Sequence, residues 1–307
     1  MLPIVHHAAY VAPTPANHRF PMGKFGRLIE ILRDEGIATS ANTLEPEPAS
    51  FAALARAHSA TYVRDVLGQT LDEAATRRIG FPISDRLVHR SQRSIGGTIL
   101  TGRLALQHGL ACNTAGGSHH AHAGYGAGYC VFNDVAVAIR ALQADGYIAT
   151  AMVVDLDVHQ GDGTAQIFAD DDSVFTFSMH CEANFPVNKK KSDFDMALPK
   201  GVGDAAYLET LSRCLDQLLV GERPDIVFYN AGVDCHADDR LGQLMLTDQG
   251  LAERDELVLR RCRGAGLPVA CVLGGGYTND IEVLAHRHAI LHRTAAAVVI
   301  NLTQTLV

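Results

Sequence analysis

From about residue 110 onward, short apolar segments alternate with stretches of helical pattern. The apolar segments lie at 111–115, 151–154, 174–178, 226–230 and 269–273. The helical patterns cover 133–144, 205–219 and 248–264. Continuous apolar strands that alternate with helices predict a parallel sheet covered by helices on both faces. Right-handed crossovers would then place the carboxyl ends of the strands on one edge.

Nearly every predicted strand runs into a cluster of Gly, His and Asp. The clusters read AGGSHH, DLDVHQGDG, SMHCE, AGVDCH and LGGGY. Open parallel sheets bind ligands beyond the carboxyl ends of their strands. The sequence therefore predicts one polar site at this edge. Upstream, we expect a loop at 45–48 followed by a helical segment at 50–68.

Two clusters together contain a candidate metal-binding set. In an extended DLDVH segment, Asp155, Asp157 and His159 share one face, where a carboxylate and an imidazole can grip a divalent cation. Asp234 follows the apolar run 226–229 and completes an Asp–His–Asp set, although an Asp in that position is often only a helix cap. Three protein ligands and an open position are typical of catalytic zinc, and carboxylate-rich sets also suit Fe²⁺.

The adjacent His119 and His120 lie on a glycine-rich segment. They could be metal ligands or surface residues, but the surplus carboxylates Asp155 and Asp162 favour two oriented imidazoles. A carboxylate that accepts one ring N–H fixes the tautomer and raises the basicity of the other nitrogen. Spacing alone leaves open which carboxylate serves which histidine.

Aromatic residues beside loop-forming segments complete the candidate site. The GGGY turn lacks both GxGxxG and the P-loop lysine, so a nucleotide site is disfavoured. Tyr277 could donate a hydrogen bond to a developing oxyanion, or it could be a packed core tyrosine. Tyr129 and Phe185 could be core residues or the two walls of a narrow channel around an aliphatic chain.

Charge and cysteine content limit the environment and the partners. The net charge of -8 argues against nucleic-acid binding but permits a cationic substrate. Seven cysteines without CxxC spacing predict free thiols in a reducing compartment. The beginning of the sequence lacks the order of a signal peptide, and no apolar run reaches membrane-spanning length. We therefore expect a cytoplasmic protein without a membrane span.

The motif series resembles that of the histone deacetylases over roughly residues 4–280. The matching segments are GGSHHA, GYCVFND, DLDVHQGDGT, SMHCEANFP, LPKGVGDAAY, NAGVDCHADDRLG and LGGGY. GGSHH, Gln160 and the NFPVNKKKSD loop resemble the class IV branch and its bacterial relatives. The resemblance implies a single three-layer α/β/α domain over 1–307, with a mostly parallel sheet of about eight strands, as in the arginase/deacetylase superfamily.

The resemblance also implies residue roles and an activity, the removal of acetyl or longer acyl groups from lysine-like amines. Gln160 departs from the second histidine of other classes, and we expect it to tune the site without abolishing it. The implied roles are zinc ligands for Asp157, His159 and Asp234; a catalytic pair, His119 and His120, partnered by Asp155 and Asp162 respectively; carbonyl polarisation by Tyr277; an acyl-lysine channel at Gly128, Tyr129, Phe185 and Gly275; and a structural potassium site at Asp155, Asp157, His159, Ser178 and Met179.

Several alternatives remain open on the sequence. An arginase-like dinuclear manganese enzyme would need further carboxylates, for which Asp238 and Asp239 are candidates. An acetylpolyamine or other small-molecule amidohydrolase shares the same motifs. An inactive acyl-lysine-binding protein would be expected to lack one of the catalytic residues. The sequence leaves open the acyl-chain length, the oligomeric state, and whether the apolar stretch 295–302 is core or interface.

Overall fold

The eight strands form one entirely parallel sheet in the computed structural model, which describes residues 1–15, 18–221 and 223–305. The order across the sheet is β2-β1-β3-β8-β7-β4-β5-β6. The strands are β1 (Ile4–Val5), β2 (Thr43–Leu44), β3 (Leu110–Asn113), β4 (Ala151–Asp155), β5 (Val174–Cys181), β6 (Phe194–Leu198), β7 (Ile226–Asn230) and β8 (Val269–Val272). The predicted parallel α/β architecture is confirmed.

Helices cover both faces of this sheet. They are α1 (Lys24–Asp34), α2 (Phe51–Leu54), α3 (Ala60–Leu67), α4 (Glu73–Ile79), α5 (Asp85–His108), α6 (Asp134–Ala144), α7 (Asp162–Ile167), α8 (Asp204–Gly221), α9 (Asp248–Gly264) and α10 (Ile281–Thr305). Successive residues of β7 show the two layers. Phe228 packs beneath Gly102 of α5, whereas the Tyr229 hydroxyl lies 2.6 Å from Asp255 of α9. One contiguous core runs from Leu2 to Val298.

The five strands and three helices predicted from the pattern are present, with ends shifted by no more than three residues. The continuous helical segment predicted at 50–68 is wrong. The chain forms α2 and α3 with a turn between them, because the Ser59 hydroxyl caps α3 by accepting the Tyr62 amide and so begins a new helix. The edge strands β2 and β6, and the two-residue β1 next to β2, lack a recognisable pattern of their own.

Burial explains the remaining sequence features. All seven cysteines are free and buried, as predicted, and they lie in the described part of the chain. In the stretch 295–302, Ala295 and Val298 belong to the core and Ile300 is exposed, while the side chain of Leu302 lies outside the described residues. No helix in the described ranges is both long enough and apolar enough to cross a membrane.

Candidate active site

The site lies where β4, β7 and β8 end side by side. Asp155 at the end of β4 is in register with Asn230 of β7, which in turn pairs with Val272 of β8. The segments that leave these strands carry Asp157 and His159, Asp234, and the glycine-rich turn before Tyr277. The parallel sheet therefore brings together residues more than 100 positions apart.

Asp157, His159 and Asp234 form a buried cluster suited to a metal ion. One ligand atom of each lies within 4.8 Å of the others, and this is the one such group found among the described residues. His159 Nδ1 lies 3.1 Å from Asp157 Oδ1 and 3.1 Å from Asp234 Oδ2. Burial and the Asp157 charge raise the pKa of Asp234 to about 7. Two carboxylates buried away from water need a compensating positive charge, so the donor set fits a divalent cation.

Backbone groups orient these candidate ligands. The Gly275 amide donates to Asp157 Oδ2 at 2.6 Å, and the Val158 amide donates to Asp234 Oδ1 at 2.9 Å. A Cβ at Gly275 would overlap the Asp234 carboxylate, which explains why the turn requires glycine there. Gly275, predicted to line the channel, thus contacts the metal-ligand cluster and lines a small cavity beside it.

Each histidine of the pair has its own carboxylate. His119 Nδ1 lies 2.7 Å from Asp155 Oδ2, and His120 Nδ1 lies 2.6 Å from Asp162 Oδ1. The two ring centroids are 4.1 Å apart. The structure thus decides the pairing that spacing left open, in the order implied by the family resemblance.

The two histidines have opposite pKa shifts. Burial opposes protonation of His119, but the Asp155 and Asp157 carboxylates outweigh it and raise its pKa to about 9. Burial and the charge of His119 lower the pKa of His120 to about 4. Near neutral pH, His120 is therefore neutral. Because its Nδ1–H donates to Asp162, its Nε2 lone pair is available to accept a proton.

Two residues that the sequence reasoning passed over support this pair. Asp134, at the start of α6, accepts the Ser118 amide at 2.7 Å and the Gly117 amide at 3.2 Å, and so fixes the loop before the histidines. His122 Nε2 lies 3.1 Å from the second oxygen of Asp162. Asp134 ends the GYCVFND motif and His122 directly follows GGSHHA, but only the fold shows what their side chains contact.

An entrance cavity of about 450 Å³ leads down to His120 and His159. Tyr129 and Phe185 line it, as the channel prediction required. The Phe185 side chain is 44% exposed, and its ring meets the His120 ring edge-on with centroids 4.8 Å apart. Gly128 also lines the cavity, and a Cβ added at this position would overlap the His120 ring.

Tyr277 lies at the bottom of the entrance cavity and also lines a smaller cavity behind it. Burial and the charges of Asp234 and Asp157 raise the pKa of Tyr277 well above its usual value, so the phenol stays protonated and can donate. Beneath it lies Lys24, which is 1% exposed and whose pKa burial lowers to about 8. The Lys24 Nζ lies 3.4 Å from the Gly274 carbonyl and 5.9 Å from the Tyr277 ring centroid.

The extra carboxylates considered for a dinuclear site have other partners. Asp239 accepts the backbone amides of Leu241, Gly242 and Tyr277. Asp238 forms an ion pair of 2.8 Å with Arg287. The geometry therefore disfavours an arginase-like pair of bridged metals.

Three of the five residues predicted to hold potassium lie on neighbouring strands, and Asp157 and His159 follow the end of β4. Asp155 and Ser178 are register partners of β4 and β5, and Met179 follows in the buried part of β5. The Ser178 hydroxyl lies 2.9 Å from His180 Nδ1. Potassium binding stays a prediction.

Gln160 faces away from the metal-ligand cluster. Its amide exchanges hydrogen bonds with the backbone of Lys190, at 2.6 and 2.8 Å, and also donates to Asp195. Gln160, the residue after the candidate ligand His159, is thus hydrogen-bonded to the NFPVNKKKSD loop. From the same loop, Asn184 Nδ2 lies 3.4 Å from His159 Nε2.

Comparison with known proteins shows similarity along nearly the whole chain. The histone deacetylase domain model matches residues 18–292. An uncharacterised protein of Picosynechococcus sp. is 52% identical over 293 residues, which cover 95% of this chain and 98% of the relative. Histone deacetylase 2 of Arabidopsis thaliana is 30% identical over 85% of this chain and 70% of its own. The crystal structure of a histone deacetylase homologue from Aquifex aeolicus superposes with a TM-score of 0.82 at 23% identity, covering 96% of this chain and 84% of that one.

Proposed function

Because the chain belongs to the histone deacetylase domain family, we propose that it is a zinc-dependent amide hydrolase that removes an acyl group from the ε-amine of lysine or a lysine-like amine. One observation carries the proposal. A buried Asp–His–Asp cluster lies beside a neutral, oriented His120, and both are reached through a cavity with aromatic walls. The class IV assignment and a potassium ion near Asp155 and Ser178 are parts of the same proposal.

Asp157, His159 and Asp234 would hold the metal. When bound, zinc, or Fe²⁺ in its place, would polarise the amide carbonyl and acidify the attacking water. His120 Nε2 accepts the proton of that water and returns it to the leaving amine as the C–N bond breaks. The protonated His119 contributes positive charge, and the Tyr277 hydroxyl donates to the developing oxyanion.

The small cavity behind the reacting centre favours a short acyl group. Its volume is about 30 Å³, and it is lined by Phe20, Phe25, Arg90 and Tyr277, among others. Such a space is enough for a group about the size of a water molecule, such as the methyl of an acetyl group. A long fatty chain would have to displace the buried aromatic side chains. We therefore expect acetyl to be preferred over butyryl and myristoyl.

The test is hydrolysis of lysine peptides that differ only in carrying acetyl, butyryl or myristoyl. The metal-loaded protein should release the free amine, with kcat/KM highest for acetyl. Asp157→Ala is the matched control, and it should lose both bound metal and activity. A metal-replete, active Asp157→Ala protein would refute the ligand assignment. Failure of the wild-type protein to cleave any of the three peptides would refute lysine deacylation.

A further inference from the structure

The mouth of the entrance cavity is lined by positively charged side chains, whereas the molecule as a whole is negatively charged. The chain has a net charge of -8, yet the exposed charged side chains that line the cavity are Arg77 and Arg78. Among the described residues, no Asp or Glu lines this cavity. A local field of opposite sign to the net charge, at the place where substrate enters, bears on which substrates bind.

The two arginines are held beside the channel wall by the backbone. The Arg78 carbonyl accepts the Gly128 amide at 3.2 Å, and the Ile79 carbonyl accepts the Tyr129 amide at 2.7 Å. Gly80 ends α4 in a left-handed conformation, with φ of 86°. The end of α4 is thus joined directly to the segment that forms one wall of the cavity.

Both guanidinium groups can still reach a ligand. Arg77 pairs with Glu73 at 3.0 Å, but the two side chains are 71% and 91% exposed, and such pairs are weak. The Arg78 guanidinium lies over the Tyr125 ring, 4.9 Å from its centroid, a contact with the ring face that does not use its N–H donors. Neither arginine is committed to a buried partner.

We propose that Arg77 and Arg78 form a recognition site for a carboxylate that the substrate carries next to its acylated amine. The inference rests on the proposed deacylase function. If the acyl group reaches His120 and Tyr277, the part of the substrate beyond the amine remains at the mouth, where the arginines lie. Guanidinium groups match carboxylates with paired hydrogen bonds. The substrate class is therefore an acyl-lysine peptide with a neighbouring Asp or Glu.

The same charges disfavour acetylated polyamines. The remaining amines of a polyamine are cationic, and they would lie beside two cationic side chains, while no carboxylate of the described residues lines the cavity. Like charges brought together at a binding site cost affinity. The two arginines at the mouth thus favour acyl-lysine peptides over acetylated polyamines, two substrate classes that the shared motifs do not distinguish.

The experiment compares two acetyl-lysine peptides that differ only in having Asp or Lys next to the acetyl-lysine, together with an acetylated polyamine. The wild-type protein should favour the Asp peptide in kcat/KM by about 5- to 10-fold at low salt, since exposed ion pairs each contribute modestly. An Arg77→Gln/Arg78→Gln double variant should lose this preference while still cleaving the Lys peptide. Arg213→Gln, which changes an exposed arginine on α8, is the matched control and should keep the preference.

Peptide binding to the metal-loaded protein is measured in parallel, so the two hypotheses can fail separately. Cleavage of both peptides at equal rates would overturn the arginine site and leave the deacylase intact. Faster cleavage of the polyamine would also overturn it. Tighter binding of the Asp peptide, lost in the double variant and without any cleavage, would support the recognition site and refute the deacylase. If the protein neither prefers the Asp peptide nor cleaves any substrate, both the recognition site and the deacylase function are overturned.

Discussion

His119 and His120 are neighbours with identical side chains, yet their surroundings give them different chemistry. His119 lies between two carboxylates and holds its proton, with a pKa of about 9. His120 shares Asp162 with His122, and its pKa falls to about 4 beside the charged His119. A pair of groups whose pKa values are pushed apart is typical of acid and base assignments in active sites. In the proposed mechanism His120 is therefore the base and His119 the electrostatic partner.

Tyr277→Phe tests the other single-residue role. Loss of one oxyanion donor typically costs ~10²–10³ in rate, so turnover of an acetyl-lysine peptide should fall by about that factor. Bound metal, measured by atomic emission, should not change because Tyr277 is outside the Asp–His–Asp cluster. Tyr147→Phe, at an exposed position, is the control. Metal loss in Tyr277→Phe would contradict the assigned role.

The glycine-rich turn after β8 is packed directly against the candidate metal ligands. Its Gly275 amide holds Asp157, and its missing Cβ leaves room for Asp234. No positive φ is found at Gly275, so space alone requires glycine at this position. The turn therefore acts as one wall of the candidate metal site.

Gly275→Ala should accordingly remove the metal rather than merely slow turnover. The added methyl would force the Asp234 carboxylate away from Asp157 and His159. Gly264→Ala is the matched control, because a Cβ at the end of α9 meets nothing within 4 Å. We expect the control to keep full metal content and activity. Normal zinc affinity in Gly275→Ala would show that the ligand geometry is wrong.

For the whole molecule, buried histidines couple stability to pH. His6, His58, His180 and His292 are all buried, and mainly through burial each has its pKa lowered to about 4. In the unfolded chain a histidine titrates near 6.5. Between these values the unfolded state binds more protons, so the stabilisation is complete above about pH 6.5 and is lost as pH falls towards 4. Each histidine contributes up to about 3 kcal/mol to this loss.

The free energy of unfolding, measured by urea denaturation, should therefore fall steeply from pH 6.5 to pH 4.5. His58→Gln should reduce the slope by up to about 1.4 kcal/mol per pH unit, because one proton is no longer taken up on unfolding. His58 is suited to this test because its ring nitrogens form hydrogen bonds with the backbone of His122 and Asn133. His108→Gln, at an exposed position, should leave the slope unchanged. A pH-independent stability over this range would refute the buried-histidine account.

The sequence by itself determined the alternation of strands and helices and the residues that stand at the strand ends, because apolar patterning and residue chemistry are local properties. It could thus predict that Asp157, His159 and Asp234 meet at one edge. Only the tertiary structure decided that Asp162 serves His120, that Asp239 is occupied by backbone amides, and that Arg77 and Arg78 stand at the mouth. The size of the inner cavity also belongs to it. These features arise from contacts between segments distant in the chain, for which no local pattern exists.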